Sequence, residues 1–210
     1  MQLMPLRRIK SEHGFTLIEV AVVMLILALM LGGLLMPLSE RVKTDRYKAT
    51  KQTLQEAQEA LLGYAVSNGN LPCPDTTSPV TADGVADSPC AATEGYLPYV
   101  TLGMGRSDAW NNPLRYRVDP NFTIVITNPL PVANGYVIQN LEAAPVILAT
   151  DPAAIIFSYG DNGLPDDANN NGNSIYIQDV PIETPVFDDN LVWLSKNTLM
   201  NRLVAAGQWP

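Results

Sequence analysis

Histidine is nearly missing from this 210-residue chain: His13 is the single one. A Ser-His-Asp triad therefore cannot be built beyond it, and neither can a His-ligated metal centre. Cysteine is scarce too. Cys73 and Cys90 are the only two, without the C-x-x-C spacing of a zinc site. Positive charge fades along the chain. Past Asp119 only Lys196 and Arg202 remain, and the formal net charge is -8. A nucleic-acid binder needs a basic footprint, and the aromatic residues are too scattered for a base-stacking platform. There is no phosphate loop. Gly103-Met104-Gly105 runs into Arg106-Ser107-Asp108, which fails the dinucleotide fingerprint and reads as a turn. These gaps point away from an enzyme. An anchored hydrolase using an Asp or Glu pair would need two acids to converge, and no spacing in the sequence shows that.

What the chain has in quantity is apolar sequence, 47% of its residues, enough for a real core. From Phe15 to Leu38, 24 residues carry one charge, Glu19. As a helix this run is about 36 Å long, enough to cross a bilayer. Arg7, Arg8 and Lys10 precede it, so the positive-inside rule places the N-terminus in the cytoplasm. A secretory signal has a shorter apolar core and a small-residue cleavage site. Pro37-Leu38-Ser39-Glu40 offers no such site, so the segment is expected to stay.

A lone carboxylate in lipid is costly or takes up a proton. At headgroup depth the cost is small, which explains why Glu19 is tolerated but gives it no purpose. A cut between Gly14 and Phe15 gives it one. Glu19 then becomes the fifth residue, and the new ammonium at Phe15 of a neighbouring subunit neutralises it only in an assembly.

Arg7-Arg8-Ile9-Lys10 and Gly14-Phe15-Thr16-Leu17-Ile18-Glu19-Val20 resemble the class III signal of type IV pilins and type II secretion pseudopilins. The resemblance implies cleavage after Gly14 by a membrane prepilin peptidase, N-methylation of Phe15, and a role for Glu19 in docking the helix into a filament. Pro37, which can kink a helix, resembles the helix-bending proline of those subunits, one place later.

The helix is expected to continue to Ser67. Tyr47, Thr50, Leu54, Ala57, Leu61 and Tyr64 recur at steps of three and four, one helical face, and Asn68-Gly69-Asn70 is a stop. Leu71 to Asp108 reads as loop, with Cys73 and Cys90 inside it. A disulfide between them would close that loop, stabilise by about 3 kcal/mol and imply an oxidising compartment such as the periplasm. Short β-like runs follow at Leu114–Val118, Phe122–Thr127, Tyr136–Gln139, Val146–Thr150, Ile155–Tyr159 and Ile175–Gln178, spaced for an antiparallel sheet with hairpins. Asp188-Asp189 either belongs with the acidic loop at Gly160 to Asp179 or begins a helix, the simpler reading because carboxylates favour a helix N-terminus. Ser195 is a cap for a last helix, Lys196 to Ala206, ended by Gly207, with Leu199, Leu203 and Ala206 inward.

Two patches narrow the resemblance. Asp108-Ala109-Trp110-Asn111-Asn112-Pro113-Leu114-Arg115-Tyr116 and Ile156-Phe157-Ser158-Tyr159-Gly160-Asp161-Asn162-Gly163 are similar to segments of the major pseudopilin of type II secretion. Trp110 reads as a core anchor. The cysteine loop and the tail from Val180 depart from that subunit. A main subunit, a tip subunit acting as an adhesin or cargo-recognition module, and a relative in another pilus-like machine all stay open.

Gly160 to Asp179 is acidic and rich in Asn. Asp167-x-Asn169-x-Asn171-Gly172 matches the first half of an EF-hand loop, but Gln178 stands where the bidentate Glu belongs. The resemblance also implies a structural calcium here. Asp161, Asp166, Asp167, Asn169 and Asn171 are the candidate ligands, against the reading of a plain flexible turn.

The sequence therefore predicts an α+β chain resembling a pilin "lollipop", a long N-terminal helix with a small antiparallel sheet. Residues 1–14 are a leader, 15–38 a membrane and filament-core helix, 39–70 its amphipathic continuation, and 71–210 a periplasmic head. The partners implied are other pilin or pseudopilin subunits, the prepilin peptidase, an inner-membrane assembly platform and the membrane itself, with passage from the bacterial inner membrane into a filament. No cofactor is expected apart from the calcium.

Overall fold

The computed structural model describes residues 14–77, 83–126, 133–169, 174–183 and 186–208; of residues 32–39, 167, 183 and 186 it describes the backbone alone. The chain divides into two compact units, Met1–Thr44 and Asp45–Pro210. Helix α1 spans Leu17–Asn68, 52 residues, within two residues of the expected bounds. Thr16 accounts for its start: both its Oγ1 (3.3 Å) and its carbonyl oxygen (3.1 Å) accept the Glu19 N–H. Arg7, Arg8 and Lys10 lie outside the described residues. In the first unit every described side chain from Phe15 to Leu31 is exposed.

The second unit is α+β. The elements after α1 are β1 (Glu94–Tyr96), α2 (Tyr99–Leu102), β2 (Arg115–Val118), β3 (Val137–Gln139), β4 (Ile147–Thr150), β5 (Ala154–Ser158), β6 (Ile175–Ile177), β7 (Ile182–Glu183), β8 (Val186–Phe187), β9 (Asn190–Leu194) and α3 (Lys196–Ala205). In this unit α1 buries the face the sequence marks out. Thr50, Leu54, Ala57 and Leu61 are covered, with Tyr47 and Tyr64 half-buried. An antiparallel sheet in the order β1-β2-β5-β9 packs on that face. Alternation along the strands sends Tyr116, Val118, Ala154, Ile156 and Leu194 to the helix, where they join Leu199 and Leu203 of α3. Each such aliphatic or aromatic side chain contributes about 1.5–3 kcal/mol on burial.

Ile155, Phe157 and Leu191 point the other way, against Ile138 and Tyr176 of a second layer, the three-stranded sheet β4-β3-β6. β3 pairs antiparallel with β4 but parallel with β6, where the sequence led to hairpins throughout. A parallel pair needs a long crossover, and β5 with the acidic loop provides it.

Between the layers, Arg115 and Arg117 share one carboxylate, Glu94, at 3.5 and 2.6 Å. Tyr176 donates its hydroxyl to the same carboxylate at 2.8 Å. The Arg117 guanidinium lies 4.4 Å from the Tyr136 ring centre and that of Arg115 lies 4.6 Å from Tyr96. This charged seam, covered on both sides, ties the second layer to the first.

Other expectations are corrected. Phe122 is not in a strand. Asp119 caps a 3-10 turn, Pro120–Phe122, by accepting the Asn121 N–H at 3.0 Å, and Phe122 is buried in the main core; Thr127 lies outside the described residues. Asp188-Asp189 begins no helix but leads into β9. Ser195 does cap α3, accepting from the Thr198 N–H, but Ala206 is exposed and Met200 takes its inward place. Trp110 is half-buried, its Nε1 enclosed without a hydrogen-bond acceptor among the described residues. Cys73 and Cys90 are joined, with Cα atoms 5.1 Å apart. Inside their loop the buried Asp75 accepts from the backbone of Thr77 and Gly84, each at 2.9 Å. Residues 78–82 lie outside the description.

Candidate functional site

Two regions carry chemistry that packing alone leaves unexplained. The first is the start of α1. Phe15 is 82% and Leu17 89% exposed, and the aliphatic residues that follow are open as well. Water does not favour a surface like this, so it marks a contact with lipid or with other chains. Glu19 stands among these residues with no ion-pair partner among the described residues. Among the described residues no helix is long and apolar enough to cross a membrane; part of the expected span, 32–39, has no described side chains.

The second region is the acidic loop, and its position is built from the two patches singled out in the sequence. Asp108 is buried, and its Oδ1 accepts the N–H groups of Trp110 (2.9 Å) and Asn112 (2.8 Å), which fixes the turn. Its Oδ2 accepts from the Ser158 hydroxyl at the end of β5. Asn112 then reaches across and donates its side-chain N–H to the Gly160 carbonyl at 2.7 Å. Gly160 has φ +57, and a Cβ there would lie 2.3 Å from the Asp188 carbonyl oxygen. Glycine is required at this place, because the loop backbone runs directly against Asp188.

Three carboxylates converge on the other side of that contact. Oxygens of Asp166, Asp188 and Asp189 all lie within 4.8 Å of one another. Backbone donors hold each acid. Asp189 accepts from the Asp166 N–H (2.9 Å), Asp166 from the Asp188 N–H (2.7 Å), and Asp188 from the Asn162 N–H (3.0 Å). One oxygen each of Asp188 and Asp189 remains buried with no donor among the described residues. Burial, the largest influence, pushes the Asp189 carboxyl up to about 7 and that of Asp188 up to about 6; the neighbouring acids push the same way.

Of the residues singled out in the sequence, the fold brings the Asp166 carboxylate into this cluster and sets the Asn169 side chain beside Asp189. Asn169 is buried and also held by Ile177, accepting from its N–H (2.7 Å) and donating to its carbonyl (3.0 Å). Asp161 is exposed. The Asp167 side chain and Asn171 lie outside the described residues. Asp188 and Asp189, for which the sequence allowed this site but favoured a helix start, are the partners of Asp166. Their one signal is a pair of acids ahead of the continuous apolar run Leu191-Val192-Trp193-Leu194, which suits a strand entering from a site as well as a helix start.

Residues 9–35 match the family described as Prokaryotic N-terminal methylation motif. No curated protein and no solved structure matches the chain. The matched stretch includes Gly14, Phe15 and Glu19, so the N-terminus carries a prepilin-type signal.

Proposed function

We propose that this chain is a structural subunit of a type IV pilin-like filament, such as the periplasmic pseudopilus of a type II secretion system. The observation that carries the reading is the methylation motif at residues 9–35, in which every described side chain of the apolar helix from Leu17 to Leu31 is exposed. The action is mechanical. Prepilin peptidase cuts between Gly14 and Phe15, Phe15 is N-methylated, and the subunit waits in the inner membrane on its apolar segment. An assembly platform then moves it into a filament of like subunits, where the apolar faces cover one another. Glu19 pairs with the Phe15 amine of a neighbour. Buried pairs of this sort are better attested for setting register than for adding stability.

In the head, Asp166, Asp188 and Asp189 would hold a calcium ion. Hard oxygen donors, two of them buried without a partner, fit a hard cation. The ion would neutralise three crowded acids and lock the loop to β9.

Mass spectrometry of the protein from its native membrane tests the reading. A chain starting at methylated Phe15 supports it, and a working form that retains the leader overturns it. Glu19→Ala should leave the head folded and abolish filaments. Immunogold label along whole filaments marks a main subunit, whereas label confined to the ends makes this chain a tip subunit.

A further inference from the structure

The head carries two complementary surfaces side by side. On one, α1 shows Lys48 and Lys51, both exposed and neither in an ion pair among the described residues. Lys48 and Lys51 are three apart and share a helix face. On the other, the turn between β3 and β4 gathers apolar and acidic groups. Asn140 closes that turn on Val146: its side-chain oxygen accepts the Val146 N–H (2.7 Å), and its own N–H donates to the Val146 carbonyl (3.2 Å). Asp179 pins the turn by accepting the Leu141 N–H at 2.8 Å. Glu142 is exposed beside it. Val146, Ile147, Leu148 and Val180 expose between 44% and 65% of their surface. No Lys, Arg or His lies anywhere between Pro120 and Ser195, so nothing within this layer neutralises its acids.

β4 is an edge strand, yet its pairing with β3 shifts register between Ile138 and Gln139. A bulge of this kind twists an edge away from simple strand addition. The surface is therefore suited to side chains laid across it. Lysine and arginine fit that demand, because their aliphatic stems cover apolar surface while their charged ends reach acids at the rim.

We infer that the Lys48–Lys51 face of α1 in one copy docks on the Glu142–Val146–Asp179 surface of a second copy. Charge complementarity selects this occupant. Two acidic surfaces facing each other would repel, while the basic face of the same chain matches in sign. Within one copy the two surfaces adjoin, since the Tyr47 hydroxyl donates to the Asp179 carbonyl at 3.5 Å. A contact between two different patches of like chains is heterologous and propagates as an open helix. The inference rests on the filament reading above and names the contact between its heads.

The test is carbodiimide cross-linking of filaments grown from a mixture of isotopically light and heavy full-length chains. Mixed-label peptides joining Lys48 or Lys51 to Glu142 or Asp179 are expected. Glu142→Lys should lower sedimentable filament by about tenfold, and adding Lys48→Glu and Lys51→Glu to the same chain should restore most of it. An unchanged melting temperature of each variant keeps the comparison to assembly. Filaments that form with only same-label cross-links, or that tolerate Glu142→Lys, overturn the contact and leave the filament reading intact. Cross-links from Glu142 to the lysines of a different protein overturn it in favour of a foreign cargo. Wild-type chains that lose their leader and never form filaments bring down both.

Discussion

Asn112 donates its side-chain N–H to the Gly160 carbonyl at 2.7 Å, and this bond joins the two sequence patches that flank the acidic cluster. The turn fixed by Asp108 sets Asn112, Asn112 holds Gly160, and Gly160 lies against Asp188. The cluster is thus supported from behind by a chain of buried polar contacts.

Gly160→Ala tests the last link. The added methyl would meet the Asp188 backbone in a left-handed conformation, so neither neighbour can yield cheaply. A loss of about 2–4 kcal/mol is expected, read as a lower midpoint in urea unfolding. A midpoint equal to wild type would show that the loop does not rest on Asp188.

The acidic cluster predicts an inverted pH response. Asp188 and Asp189 have folded values raised from 3.8 to about 6 and about 7. The native state then binds protons that the unfolded chain releases, so stability falls as pH rises from about 4 through about 7. In chelator the melting temperature should drop across that window. Calcium added at about pH 8 should recover it, and Asp189→Asn should flatten the profile. A chelator profile that is already flat would count against the cluster.

The seam between the layers predicts an asymmetry. Glu94→Ala removes the carboxylate that two enclosed guanidinium groups share and should cost about 3–5 kcal/mol. Opening Arg202–Glu59, an ion pair on an exposed surface, should cost under about 1 kcal/mol. Equal effects in denaturant titration would mean that the seam is solvated.

Removing the disulfide should matter through the unfolded chain. Cys73 and Cys90 are 17 residues apart, and replacing both with serine should cost about 3 kcal/mol. The check is whether reductant lowers the wild-type melting temperature to that of the double variant.

The helix α1 was legible because Leu54, Ala57 and Leu61 repeat at helical steps and the stop Asn68-Gly69-Asn70 follows them. β2 and β5 were legible as short apolar runs. β1 was not, since Glu94-Gly95-Tyr96 has no apolar run and becomes a strand only by pairing with β2. β9 was hidden by Asp188 and Asp189, whose charge suits a helix start as well as a site. The parallel pairing of β6 with β3 could not be read locally, because it depends on what the intervening chain does. For the same reason the sequence left Asp188-Asp189 open between this site and a helix start: only the fold brings residues 188 and 189 back to Asp166.

Both faces of the β1-β2-β5-β9 sheet are occupied, one by α1 and one by the β4-β3-β6 layer. The outer side of that layer can therefore change in sequence, within what its own contacts demand, while the grip on α1 stays constant. Related chains could exchange neighbours, or cargo, by recoding a handful of outer positions, without rebuilding the hydrophobic interior.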